Sequence, residues 1–117
     1  MRSFDELLMD ATIMHRGSVC PGQVLGVRMA MLGCRLLCLD DPTQDKRLIV
    51  YVEIDRCMAD AIAAVTGCRI GKRTLKHIDY GKYACTFVDL PRGRAFRVVA
   101  RDDARSRVER YAPLRLG

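Results

Sequence analysis

Residues 47–67, RLIVYVEIDRCMADAIAAVTG, contain a complete strand-to-helix passage, and the rest of the chain can be placed around it. RLIVYVEI (47–54) is β-branched and almost continuously apolar, the pattern of a central strand buried on both faces. Asp55 stands where an N-cap is wanted, and CMADAIAAVT (57–66) then reads as a helix. Gly67 ends that helix as the C′ residue, where a left-handed backbone favours glycine.

Upstream, Pro21 suits the first position of a helix, where a missing N–H costs nothing. The spacing predicts a helix over 21–39 that is apolar almost all round, interrupted only by Gln23, Arg28 and Arg35. Such a helix is buried on most of its faces. Gly22 and Gly26, four apart, let another backbone come close, either within the chain or from a second subunit. Residues 3–14 open with Ser3 and, three residues on, Glu6, a capping box. Phe4, Leu7, Leu8, Ala11 and Met14 follow at helical spacing. Downstream lies a glycine-bearing loop with room for one short strand. A hairpin of 83–90 and 94–100 turns around Pro91, Arg92 and Gly93. A polar helix is expected over about 102–110. The order α-α-β-α-β-β-α, without internal repeats, predicts an α+β fold with a mixed sheet covered by helices.

At 117 residues this is one domain, 1–117, with a core of about 12–100 and a polar, basic C-terminal helix and tail over 101–117. A chain of that size buries roughly two-thirds of the surface its unfolded form exposes. No apolar run approaches the ~18 residues of a membrane span. The opening MRSFDELLMD carries Asp5, Glu6 and Asp10 and does not read as a signal peptide, so a cytoplasmic protein is expected. The net charge of +6 suggests nucleic acid at first sight. Its distribution argues otherwise: from Arg92 to the end there are eight Arg against Asp102, Asp103 and Glu109. Aromatic platforms for bases are few, and nucleic acid is not an expected partner.

Six cysteines in a chain read as cytosolic point to thiols or metal ligands rather than a disulfide framework. No CxxC pair occurs, which argues against zinc ribbons and thioredoxin-like sites. Cys34, Cys38 and Cys85 lie within apolar runs and read as core residues, since free Cys is among the most buried residue types. Cys20, Cys57 and Cys68 sit at element boundaries. Cys20 precedes Pro21 as an N-cap, and Cys57 lies in the first turn of its helix. Free N–H groups and the helix dipole there favour thiolate, the form that binds metals and attacks electrophiles. Cys68 closes the helix that Cys57 opens, about 16 Å away along the axis. A zinc–sulfur bond is ~2.3 Å, so these two cannot share one ion within a single chain. Either could pair with Cys20, or Cys68 could complete a site from a second subunit.

Beside Cys68, Gly71, Lys72 and Arg73 form a glycine-hinged cationic loop able to hold an anion. It is not a phosphate-binding P-loop, because GxxxxGK[ST] is absent. Glu53 and Asp55 bracket the end of the strand, where functional carboxylates often sit; pairing of Glu53 with an Arg and capping by Asp55 are the structural alternatives. His15, five residues before Cys20, is a candidate metal ligand. His77 reads as a surface or half-buried residue.

GSVCPGQVLGVRMA (17–30), VEIDRCMADAIAAVTGCRIGKRTLKHIDYGKYACTF (52–87) and RGRAFRV (92–98) together resemble the formylmethanofuran dehydrogenase FmdE family. The resemblance spans roughly 12–100 in the same order. It implies an α+β core that dimerises and a metal site at the Cys and His positions. It also implies an accessory or redox-enzyme-associated role, with a subunit of an oxidoreductase as a possible partner. The family's cysteines fall on Cys20, Cys57 and Cys68, its acidic positions on Glu53, Asp55 and Asp60, and its lysine on Lys72. Metal candidates are therefore Cys20, Cys57, Cys68 and His15, with Lys72 and Asp60 as cofactor-binding candidates. Thiolate ligation implies a transition metal, zinc or iron. The family's paired histidines fall on Arg16 and Ser18, so the site is rebuilt on His15, weakened or lost; the family Asn falls on Thr74. The C-terminal zinc finger of some members is not expected. The alternative is a thiol-dependent enzyme in which Cys20 or Cys57 is the nucleophile and Lys72 holds an anionic substrate.

Overall fold

A computed structural model describes residues 2–14, 20–44 and 47–101. The helix expected over 102–110, and His15, lie outside these residues. Three helices and four strands follow one another: α1 (Phe4–Met14), α2 (Pro21–Leu36), β1 (Leu48–Val52), α3 (Cys57–Thr66), β2 (Leu75–His77), β3 (Ala84–Asp89) and β4 (Arg94–Val99). The strands form one mixed sheet in the order β2-β1-β3-β4. β1 runs parallel to β2 and antiparallel to β3, and β3 pairs antiparallel with β4. The parallel pair needs a crossover, and α3 supplies it. The fold is α+β, and no described helix is long and apolar enough to cross a membrane.

Local chemistry accounts for most element ends. The Ser3 capping box forms: Glu6 N–H donates to Ser3 Oγ, and Ser3 N–H donates to Glu6 Oε1. The Ser3 N–H and the Ser3 hydroxyl, both donating to Glu6 Oε1, hold the Glu6 carboxyl below its ordinary pKa. Gly67 ends α3 at φ 75°. Helix α2 stops three residues short of the expected Leu39. Leu39 N–H bonds back to Cys34 O and Cys38 N–H to Arg35 O, a Schellman closure with Cys38 at φ 59°. Cys38 therefore leaves the helix and is exposed, which corrects its reading as a core residue. Asp55 does not cap α3 either; the N-cap is Arg56, without a side-chain cap bond.

The core lies between the helices and one face of the sheet. Leu48, Val50 and Val52 of β1 are buried, whereas Ile49 and Tyr51 on the opposite face are half-buried. The strand is thus central but fully covered on one face only. A continuous apolar run does not distinguish these cases, because Ile and Tyr both tolerate a half-covered sheet. Phe87, fully buried on β3, is the largest such residue and rests against Gly33 of α2, where a Cβ would meet the ring at 2.2 Å. On its other side α2 meets α3. A Cβ on Gly26 would lie 2.7 Å from Met58 O and 2.8 Å from Ala61 Cβ. The glycine spacing in α2 therefore serves packing within the chain.

Gly26→Ala is expected to destabilise the fold by about 1–3 kcal/mol, the usual cost of overpacking, despite alanine's better helix propensity. Urea unfolding followed by circular dichroism measures it; an unchanged midpoint would mean that α2 and α3 separate at little cost.

Candidate functional site

Two of the boundary thiols meet. Cys20 is the N-cap of α2 and Cys57 the first residue of α3, and the close approach of the two helices brings their starts together. Gly22 lies between them. The point where its Cβ would stand is 3.9 Å from Cys20 Sγ and 3.3 Å from Cys57 Cβ. The two thiols are close enough for Cys20 to raise the Cys57 pKa, and both are half-buried.

Gln23 holds this corner in place. It is fully buried; its Oε1 accepts the Cys20 N–H at 2.9 Å and its Nε2 donates to Ala11 O at 2.9 Å. One side chain thus ties α1 to α2 and holds the backbone of the cysteine. The sequence carried a sign of it, a glutamine three residues after an N-cap, which is the spacing of a capping box.

The electrostatics reverse one expectation. The Cys57 thiol is pushed up to about 11, first by burial, then by the neighbouring Cys20 and the Asp60 carboxylate. The start of a helix favours thiolate, but desolvation and a second sulfur outweigh that pull here.

Cys68 is placed elsewhere. It is buried at the far end of α3 and donates a weak bond to Leu48 O at 3.6 Å. Burial raises its pKa and pushes Cys34 and Cys85 to about 12. Cys68 acts electrostatically on Cys34, and Cys34 on Cys85, so three thiols share the core. Lys72 goes with this end of α3. It lines a cavity of about 370 Å³ with Thr43, Thr66, Cys68 and Thr74, away from the Cys20–Cys57 pair. Asp60 borders a smaller cleft of about 160 Å³ with Asp55, Arg56 and His77.

Glu53 is engaged structurally. It is buried, and its carboxylate takes a two-pronged bond from Arg97, 2.8 Å on each side. That bond holds its pKa below the ordinary carboxylate range. Among the described residues no group of three or more His, Cys, Asp or Glu is arranged to hold a metal ion. The thiol pair offers two soft donors of such a set.

Known proteins share this architecture. Residues 15–115 match the family described as "FmdE, Molybdenum formylmethanofuran dehydrogenase operon". A crystal structure of a tungsten formylmethanofuran dehydrogenase FmdE-like protein from Syntrophus aciditrophicus is similar, with a TM-score of 0.61 and 25% identity over 75% of this chain and 45% of that one. A probable S-adenosyl-L-methionine-binding protein of Archaeoglobus fulgidus is 33% identical over 85 residues, which cover 70% of this chain but 23% of that protein. The chain thus spans less than half the length of either relative. It belongs to the FmdE family, whose description associates it with a dehydrogenase operon.

The Glu53–Arg97 pair makes a pH prediction. The lowered folded pKa of Glu53 means its contribution to stability is present above the ordinary carboxylate value of about 4.3 and is lost as pH falls through the lower folded value. Melting temperature should therefore fall more steeply below pH 5 in the natural chain than in Glu53→Gln. Arg97→Ala, which leaves a buried carboxylate unpaired, should cost about 1–3 kcal/mol at neutral pH and exceed the loss in Glu53→Gln.

Proposed function

We propose that this FmdE-family chain is a small metal-binding protein that holds a transition metal, zinc or iron, through the thiolates of Cys20 and Cys57. It would act as an accessory protein beside a redox enzyme. One observation carries the reading: two thiols from separate helices meet at Gly22, while the other described thiols are buried in the core or, for Cys38, exposed at the end of α2. Two sulfurs suit zinc or iron and disfavour magnesium or calcium. His15, five residues before Cys20, is the third donor in this reading. Three protein ligands leave a fourth position open, as in catalytic rather than structural zinc sites. When bound, the ion supplies Lewis acidity or a redox-active centre. The protein's own residues position it: Gln23 fixes the Cys20 backbone, and the α2–α3 contact sets the distance to Cys57. Lys72 and Cys68 lie outside this site. Lys72 lines a cavity with Cys68 at the opposite end of α3 from Cys57, which weighs against the thiol-enzyme alternative, as does the raised Cys57 pKa.

The same reading takes the chain as a homodimer. The half-buried outer sheet face at Ile49, Tyr51 and Val88, and exposed Met9 and Ile13 on α1, offer apolar surface for a second copy. Sedimentation equilibrium should then report twice the 13.2 kDa chain mass; a single-chain mass would overturn it.

Purified without a metal-affinity tag, the reduced chain should bind one zinc per chain. Cys20→Ser and Cys57→Ser should each weaken binding by about 100-fold or more, since losing even an outer-shell contact costs about 10–100-fold. His15→Ala should also weaken it, and Cys68→Ala should leave it unchanged. The metal must displace the Cys57 proton, so affinity should rise with pH by about ten-fold per unit for each proton released. A metal-to-protein ratio near zero, unchanged by Cys20→Ser, would overturn the reading.

A further inference from the structure

The thiol pair also has a reaction of its own. Cys20 Sγ and Cys57 Cβ both lie within 4 Å of the vacant Cβ position of Gly22, and Cys20 is near enough to act electrostatically on the Cys57 thiol. A disulfide needs Cβ atoms about 3.5–4.5 Å apart and no intervening side chain. Gly22 supplies the second condition: its vacant Cβ position lies 3.3 Å from Cys57 Cβ and 3.9 Å from Cys20 Sγ, so the two side chains flank an open space into which their sulfurs turn by rotation about the Cα–Cβ bonds. Both thiols are half-buried, hence reachable by a small molecule, whereas Cys34, Cys68 and Cys85 are buried.

We propose that Cys20 and Cys57 form a reversible redox pair, which a small-molecule disulfide such as oxidised glutathione converts to an intramolecular disulfide linking the starts of α2 and α3. One thiol, as its thiolate, attacks a sulfur of the small disulfide. That S–S bond breaks, and one glutathione thiolate leaves and takes up a proton. The second protein thiol loses its proton and attacks the mixed disulfide at the protein sulfur, expelling the second glutathione. The protein loses two electrons and two protons, and one oxidised glutathione becomes two reduced ones. Oxidation needs no bound metal, so it stands apart from the metal reading. Where a metal does bind, the disulfide removes both sulfur donors and empties the site.

The full chain carrying Cys38→Ser, which removes the exposed thiol, is reduced, freed of metal with a chelator and equilibrated across glutathione buffers of stepped ratio. Intact mass should show the loss of two hydrogens with no retained glutathione. Cys57 and Cys68 share one tryptic peptide, so the link is assigned with a second variant, Cys68→Ala, in which the two-hydrogen loss should persist. Cys57→Ser should instead trap one glutathione on Cys20, and Gly22→Ala should slow closure by wedging a methyl between the thiols. A stable glutathione adduct in the Cys38→Ser chain, a link that disappears in Cys68→Ala, or thiols that stay reduced at every ratio would each overturn the proposal. Metal titration of the reduced chain is independent: it can fail while the disulfide forms, and the disulfide can fail while metal binds.

Discussion

The close approach of α2 and α3 is the constraint on which the rest of the structure depends. At Gly26 a Cβ would stand 2.7 Å from a carbonyl oxygen of α3, so the two helices pack backbone against backbone. Contact at that distance fixes how far each helix can slide or rotate along the other. It also holds α2 between two neighbours, because Gly33 on another side admits the Phe87 ring from the sheet. A helix that touches both its partner helix and the sheet through absent side chains has little freedom left. The positions of its ends, Cys20 among them, follow from that packing.

The outcome at those ends is a balance between two electrostatic effects of opposite sign. Helix starts attract negative charge, and both Cys20 and Cys57 occupy such starts. Partial burial penalises charge, and a second thiol beside the first penalises it again. For Cys57 burial dominates and the proton is held. A cation resolves the conflict by replacing the proton, and an S–S bond resolves it by removing both ionisable groups. The metal and redox readings are thus two responses to the same crowding of sulfur in a half-buried corner.

Much of the fold was legible because its causes are local. Ser3 and Glu6 are neighbours on one helical turn, and their capping box needs nothing from the rest of the chain. Gly67 and the hairpin around Pro91–Gly93 are signals of the same kind. The misreadings arise where a distant part of the chain decides. Apolar residues continue through Leu39, yet the backbone turns at Cys38 and lets Leu39 fold back into the core. Asp55 has the right chemistry for a cap, but the N-cap position falls one residue later, on Arg56. Gln23 reads as an interruption of an apolar helix. It is a buried link between α1 and α2 whose second partner, Ala11, lies 12 residues back.

By itself the sequence determined α1, α2, β1, α3 and the hairpin of β3 and β4 in their order, because periodicity, capping and turn residues act over a few positions, and its motifs carried the resemblance to the family; for the three-residue β2 it offered only a loop with room for a short strand. It also singled out Cys20, Cys57 and Cys68 as boundary thiols. Only the tertiary structure decided that Cys20 meets Cys57, that Cys68 joins Cys34 and Cys85 in the core, and that Cys38 stays outside. The physical reason is that a cysteine's partner is chosen by how closely two helices pack. That distance depends on the side chains along their whole contact, Gly22 and Gly26 above all, and not on the residues flanking either thiol.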